Sequence, residues 1–130
     1  MSEGSSTALA PTVCVVDDDC SVRIALERLF RGVGWTVKGF GSAEEFLKHE
    51  PLDCACLVAD VHLGKMSGLE LQAVLGARGD APAMILTSGL AEEEMEIEAL
   101  RLGAIAFFPK PFDASALLDA VSRALAPTAR

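Results

Sequence analysis

Short hydrophobic runs alternate with amphipathic segments along this chain. Strands that are buried in a parallel sheet read as unbroken apolar runs, and four runs of that kind occur here. The strands predicted from these four runs cover Thr12–Val16, 55–59, 82–86 and 105–108, and a further short strand is predicted at Thr36–Phe40.

Between these runs, apolar residues recur at the spacing of one helical face. Asp19 or Ser21 can cap the first helix, Pro51 interrupts the second and Pro127 closes the fifth. The fourth helix has the least regular apolar face of the set. The predicted helices cover 22–33, 43–49, 67–79, 92–102 and 113–125.

This alternation of strands and helices implies right-handed crossovers and a parallel sheet that is covered on both faces. We therefore predict an α/β domain with five strands and five helices. We assign it residues 12–126, with a flexible N-terminal tail at 1–11 and a C-terminal tail at 127–130.

Composition and charge narrow the class of protein. Hydrophobic residues make up 51% of the chain, yet no run approaches the roughly 20 apolar residues of a membrane span. Residues 1–7 lack the basic start and apolar core of a signal peptide, which favours a cytoplasmic location. The net charge of −8, from 11 basic and 19 acidic residues, argues against direct nucleic-acid binding.

The four cysteines do not have the paired spacing of common zinc sites. Cys14 and Cys56 fall inside predicted strands, so we expect them to pack in the core. We expect no disulfide, because the predicted compartment is reducing.

Polar side chains follow four of the predicted strands. Asp17, Asp18 and Asp19 follow the first, Asp60 the third, Thr87 the fourth and Lys110 the fifth. The carboxyl ends of parallel strands meet at one edge of a sheet, where the ligands of such folds bind.

Carboxylates suit a magnesium ion, and an ammonium with a hydroxyl suits a phosphoryl group. Because Asp17 and Asp18 are adjacent, a turn must begin there for both to face one ligand. Asp19 alone is the residue we expect to serve only as a helix cap. Together, these residues predict a metal ion beside a phosphoryl group, with Asp60 as the nucleophile.

On these residues, the chain resembles the receiver domains of bacterial two-component response regulators. The segments that carry the resemblance are 15–19, Asp60 with 66–71, 86–89 and 110–112. The stretches 21–23 and 42–47 are most similar to the nitrogen-fixation type of regulator. The resemblance covers about residues 12–126 and implies a flavodoxin-like sheet with strand order 2-1-3-4-5.

The resemblance also implies specific roles. Asp60 would accept a phosphoryl group from a histidine kinase, and Thr87 and Lys110 would contact that group. Phe107 would act with Thr87 as the switch, and the Lys110–Pro111 peptide bond would be cis. The magnesium ligands implied are Asp17, Asp18, Asp60 and the backbone carbonyl of His62.

The resemblance implies partners too. They are a sensor histidine kinase, a second copy of the phosphorylated chain and a DNA-binding output domain. Phosphorylation would change the surface formed by the fourth helix, the fifth strand and the fifth helix.

Two departures from the receiver pattern stand out. Leu63 and Gly64 replace a Met-Pro pair, so we expect a less rigid loop there. His62 and Gly89 stand where receivers place side chains that orient or block the hydrolytic water.

Two other functions stay open at this point. One is a phosphatase resembling the haloacid dehalogenases, which also phosphorylate an aspartate beside magnesium. However, the acidic pair that this family needs after its lysine is not present, since only the isolated Asp113 and Asp119 follow Lys110. The other is a binding module of receiver shape that is never phosphorylated.

Overall fold

The structure is a computed structural model, and it describes residues 11–49, 53–79, 81–89 and 93–126. Within these residues, five strands alternate with five helices. The strands are β1 (Thr12–Val16), β2 (Thr36–Phe40), β3 (Cys56–Asp60), β4 (Ala83–Ser88) and β5 (Ala106–Pro109). The helices are α1 (Cys20–Gly32), α2 (Ala43–Lys48), α3 (Gly68–Arg78), α4 (Glu93–Arg101) and α5 (Ala114–Leu125).

The strands form one sheet in the order β2-β1-β3-β4-β5. All four pairings between neighbouring strands are parallel. The predicted fold class and strand order are therefore confirmed.

Helices cover both faces of this sheet. On one face, side chains of α1 and α5 such as Phe30 and Leu117 pack on alternate residues of the strands, including Val13 and Val15. On the other face, Cys14 and Val16 join side chains of α2, α3 and α4. The central strands are thus buried from both sides, as their continuous apolar sequences predict.

Two strands extend further than the hydrophobic pattern predicts. Asp60 and Thr87 pair with each other in the parallel register of β3 and β4, and Ser88 is still part of β4. The Val61 amide also donates a hydrogen bond to the Thr87 carbonyl at 2.8 Å. Backbone pairing does not require an apolar side chain, so the sheet continues past the last hydrophobic residue.

Helix ends follow ordinary capping chemistry. Asp19 caps α1, and Ser67 forms a capping box with Glu70 at the start of α3. Helix α3 ends at Gly79, whose φ of 84° lies in the left-handed region that glycine adopts without strain. Asp113 caps α5.

Several predicted boundaries fall outside the described residues. These are Pro51, Glu92, Pro127 and the two predicted tails, except for Pro11. The Pro11 carbonyl accepts a hydrogen bond from the Thr36 amide at 3.1 Å. No helix among the described residues is long and apolar enough to cross a bilayer.

All four cysteines are free thiols, and Cys14 and Cys56 are fully buried in adjacent strands. Burial raises the pKa of Cys56 to about 12, so its thiol is protonated and a poor nucleophile near neutral pH. The expected packing role of these two residues is confirmed.

Candidate functional site

The carboxyl ends of β1, β3, β4 and β5 bring the predicted site residues together. Asp17 follows β1 directly, Asp60 ends β3, Thr87 lies opposite Asp60 in β4, and Lys110 follows β5. The Lys110 amide donates to the Ser88 carbonyl at 2.6 Å, which ties the end of β5 to the end of β4.

Three carboxylates form a cluster at this edge. One oxygen each from Asp17, Asp18 and Asp60 lies within 4.8 Å of the others. Asp17 and Asp60 are 1% and 7% exposed, whereas Asp18 is open to solvent. Because like charges this close repel, the cluster favours binding of a cation.

A tight turn after β1 explains how adjacent aspartates reach one site. The Asp19 amide donates to Asp17 Oδ1 at 2.9 Å, and the Asp19 carboxylate accepts from the amides of Ser21 and Val22. Asp19 therefore faces the start of α1, while Asp17 and Asp18 face the cluster. This is the division of roles that the sequence predicts.

Lys110 supplies the positive charge of the site. Its Nζ atom lies 3.0 Å from Asp17 Oδ2 and 3.1 Å from Asp60 Oδ2. Burial lowers the pKa of Lys110, but its hydrogen bonds to the two carboxylates and their negative charges outweigh that effect, so the pKa is raised overall. The ammonium is therefore fully charged at neutral pH.

Opposing influences act on the pKa of the Asp17 carboxyl group. Burial raises its pKa, and the nearby Asp60 adds to this, while hydrogen bonds from the Asp19 amide and from Lys110 lower it. The balance leaves the pKa of Asp17 above its ordinary value. A second cation at the cluster would reduce this cost of ionisation.

Asp60 is held through both of its carboxylate oxygens. Oδ2 accepts a hydrogen bond from Lys110 Nζ, and Oδ1 accepts a hydrogen bond from the His62 amide at 3.0 Å. His62 is an exposed residue in the loop between β3 and α3. The Lys110–Pro111 peptide bond is cis, as expected.

The two predicted switch residues lie on neighbouring strands. Thr87 is 1% exposed, and Phe107 is half-buried against the α2, α3 and α4 side of the sheet. Phe108, the next residue of β5, is also half-buried and packs against the α1 and α5 side of the sheet. Because β5 is an edge strand, neither aromatic ring is fully covered.

Two residues support the site in ways that the sequence analysis did not predict. A Cβ atom on Gly68 would collide with the Asp60 carbonyl oxygen, so only glycine lets α3 start this close to Asp60. Glu44 Oε2 accepts a hydrogen bond from the Met66 amide at 3.1 Å, which ties α2 to the loop after Asp60. A capped helix start at Ser67 could have drawn attention to Gly68, whereas no local pattern points to Glu44.

The donor set fits magnesium. Hard divalent cations of this size bind carboxylate oxygens and keep several waters, and the cluster offers three carboxylates with one side open to solvent. Nitrogen and sulfur ligands, which zinc prefers, do not contribute to the cluster.

Comparison with known proteins agrees with this geometry. The family profile of the response regulator receiver domain matches residues 13–122. The chain is 42% identical over 114 residues to the response regulator protein TmoT of Ectopseudomonas mendocina, covering 87% of this chain and 52% of TmoT. It is also 42% identical over 114 residues to the transcriptional regulatory protein FixJ of Azorhizobium caulinodans, covering 87% of this chain and 54% of FixJ.

Among solved structures, a response regulator receiver protein from Pseudomonas putida superposes with a TM-score of 0.82 at 30% identity. That match covers 90% of this chain and 99% of the other. By contrast, the chain spans about half the length of the two regulators named above. The similarity to the nitrogen-fixation type of regulator is confirmed.

The region matched by the family profile contains all five strands except Thr12, and it includes Asp17, Asp60, Thr87 and Lys110. This family assignment decides against the phosphatase alternative. The chain belongs to the receiver-domain family of two-component response regulators.

Proposed function

We propose that Asp60 is the phosphoacceptor of this receiver domain and that a sensor histidine kinase is the donor. The observation that carries this proposal is the position of the Asp60 carboxylate. It lies beside the carboxylates of Asp17 and Asp18, and one of its oxygens is 3.1 Å from the Lys110 ammonium. The family profile over 13–122 supports a receiver unit at 12–126.

We assign magnesium binding to Asp17, Asp18, Asp60 and the backbone carbonyl of His62. When bound, the ion neutralises negative charge on the phosphoryl oxygens. An Asp60 oxygen attacks phosphorus, the O–P bond forms, and the N–P bond to the kinase histidine breaks. Lys110 and the Thr87 hydroxyl then interact with the transferred phosphoryl oxygens.

Acetyl phosphate tests this proposal without a kinase. With magnesium present, intact mass spectrometry should show one added phosphoryl group on the wild-type chain and none on Asp60→Asn. Asp18→Asn should weaken magnesium binding more than the matched variant Asp19→Asn, because Asp19 caps α1. A mass gain in Asp60→Asn would rule out the assignment.

An apolar groove beside Lys110 supports a protein donor. It has a volume of about 590 Å³ and is lined by side chains of α1 and of the segment after β5, including Leu29 and Phe112. Docking of the kinase there would bring its histidine close to Asp60. Substitution of the exposed Ala25 by Asp should slow transfer from a phosphorylated kinase and leave the rate with acetyl phosphate unchanged.

We propose that phosphorylation acts on the surface of α4, β5 and α5. Thr87 would move toward the phosphoryl group, and Phe107 would fill the space that it leaves. Only Ala99 of α4 is buried, while Ile97 is 59% exposed and Leu100 is 45% exposed. With so few core contacts, α4 can shift at a small cost in free energy.

Exposed apolar residues at this surface support a protein partner. We propose that this surface binds a second copy of the chain in the phosphorylated state. We also propose that the change at this surface controls an output domain of the kind found in transcriptional regulators. Hydrogen exchange with and without beryllofluoride should show changes in both 93–101 and 106–109. Changes confined to the loops around Asp60 would contradict the switch.

We further propose a cytoplasmic location, because histidine kinases draw phosphate from cytoplasmic ATP. The domain would be a switch whose only catalytic step is loss of its own phosphoryl group. His62 is exposed beside Asp60, and Gly89 is exposed beyond Thr87 with open space around its Cα. A side chain at either position can orient or block the hydrolytic water.

Gly89 has no side chain to hold such a water, so we propose slow loss of the phosphoryl group. The dephosphorylation rate should change in His62→Asn or in Gly89→Glu. Unchanged rates in both variants would show that these positions do not set the lifetime.

A further inference from the structure

Asp17 is anchored from several directions, and one of the anchors is a side chain from α1. The Asp17 amide donates to the Phe40 carbonyl at 3.1 Å, and its carboxylate accepts from the Asp19 amide and Lys110. The remaining polar group, its backbone carbonyl, accepts a hydrogen bond from Arg23 Nη1 at 2.7 Å. This is a short, charge-assisted contact in a partly buried position.

A glycine in the neighbouring strand, Gly39 of β2, lies beside the side chain of this arginine. A Cβ atom on Gly39 would lie 3.2 Å from Arg23 Cδ and would collide with the Glu27 carboxylate. The absence of a side chain at Gly39 therefore leaves room beside β2 for Arg23, which reaches back to the end of β1.

We propose that Arg23 is a positioning residue for magnesium binding, acting through the backbone of Asp17. By holding the Asp17 carbonyl, it fixes the turn that directs the carboxylates of Asp17 and Asp18 to one point. Arg23 acts indirectly, because its hydrogen bond is to the backbone oxygen of Asp17 and not to a carboxylate of the cluster. This inference rests on the proposed function insofar as the cluster binds magnesium.

The chain offers a matched control on the same helix. Arg31 Nη2 donates to the Val37 carbonyl at 3.2 Å, also from α1 to the backbone of the sheet, but far from the acidic cluster. Arg31 also pairs with Glu27 at 3.7 Å. Arg31→Met therefore removes an arginine–carbonyl contact of the same kind without touching the turn.

Magnesium titrations followed by NMR should separate the two arginines. In Arg23→Met we expect the dissociation constant to rise about tenfold, the low end of the effect seen when a group that supports a metal ligand is removed. Arg31→Met should bind magnesium as the wild type does. Arg23→Lys should fall between wild type and Arg23→Met, because lysine keeps the charge and a donor but has a shorter reach.

A second measurement needs no metal. In the metal-free protein, the Asp19 amide, which is bonded to Asp17 Oδ1, should exchange with solvent several times faster in Arg23→Met than in Arg31→Met. Magnesium binding at wild-type strength in Arg23→Met, or an equal loss in Arg31→Met, would overturn the proposal. Weaker binding with unchanged Asp19 exchange would also overturn it, since a purely electrostatic effect gives that result.

Neither measurement uses a phosphoryl donor, so the two proposals can fail separately. If the wild type binds magnesium in this Arg23-dependent way but accepts no phosphoryl group, the phosphoacceptor function is refuted and the positioning role stands. If Arg23→Met does not fold, Arg23→Lys carries the test, and wild-type affinity and exchange in that variant would overturn the role.

Discussion

The start of α3 offers a sharp test of how Asp60 is held, through the substitution Gly68→Ala. A Cβ atom there would collide with the Asp60 carbonyl oxygen and lie 3.0 Å from both the Asp60 carbonyl carbon and Val61 Cα. All three are backbone atoms, and the Gly68 amide itself donates a hydrogen bond to the Val61 carbonyl at 2.9 Å. The neighbours therefore cannot move aside as a flexible side chain would.

The magnitude follows from two opposing effects. Forcing an extra methyl group into a packed position costs about 1–3 kcal/mol of unfolding free energy. Replacing glycine by alanine also raises the unfolding free energy by about 0.4–1 kcal/mol, because the unfolded chain loses conformational freedom. We expect Gly68→Ala to lower the unfolding free energy by about 1.3 kcal/mol, the difference between the midpoints of the two ranges.

Gly76→Ala is the matched control in the same helix, because nothing lies within 4 Å of a Cβ atom at that position. It should raise the unfolding free energy by about 0.5–1 kcal/mol. Urea unfolding measures both values, and the slope with denaturant should be unchanged. Phosphorylation by acetyl phosphate should slow about tenfold in Gly68→Ala alone, since small displacements of reacting groups are costly.

Two results would refute this reasoning. One is a Gly68→Ala protein with wild-type stability and a wild-type phosphorylation rate. The other is equal destabilisation by the two alanines, because the predicted difference depends only on the contacts at Gly68.

Two further predictions concern a buried amide and the pH dependence of the site. Gln72 Nε2 donates to the Ala99 carbonyl, but its buried Oε1 has no hydrogen-bond partner among the described residues, and Ala99 also accepts from the Ala104 amide. Gln72→Leu should therefore change the unfolding free energy in urea by less than about 1 kcal/mol, in either direction, and a larger loss would contradict this. Because the pKa of Asp17 is raised above 3.8, protons should displace magnesium as the pH falls through that raised value. NMR titrations at several pH values would contradict this if affinity stayed constant until the pH approached 3.8.

The sheet was predictable because each buried strand is a continuous apolar run, and the run ends marked the site. The pattern could not show that β3 and β4 continue through Asp60 and Thr87, since backbone pairing leaves no trace in side-chain polarity. It also could not separate Phe107 from Phe108, because alternation loses its meaning on an edge strand that is covered only in part.

The supporting contacts were beyond sequence reasoning for a different reason. Glu44 and Met66 are 22 residues apart, and their hydrogen bond depends on how α2 packs against the loop after Asp60. The contact from Arg23 to Asp17 depends likewise on the room left by Gly39 in β2. Residues that bear the chemistry follow strand ends, whereas residues that hold them in place depend on tertiary packing.

The most direct test of the central claim is to locate the phosphoryl group chemically. After incubation with acetyl phosphate and magnesium, borohydride reduces an aspartyl phosphate to homoserine, and peptide sequencing by mass spectrometry identifies the position. Our account predicts homoserine at position 60 alone, with Asp17 and Asp18 intact. Homoserine at position 17 or 18, or its absence from position 60 in protein that has gained the phosphoryl mass, would contradict it.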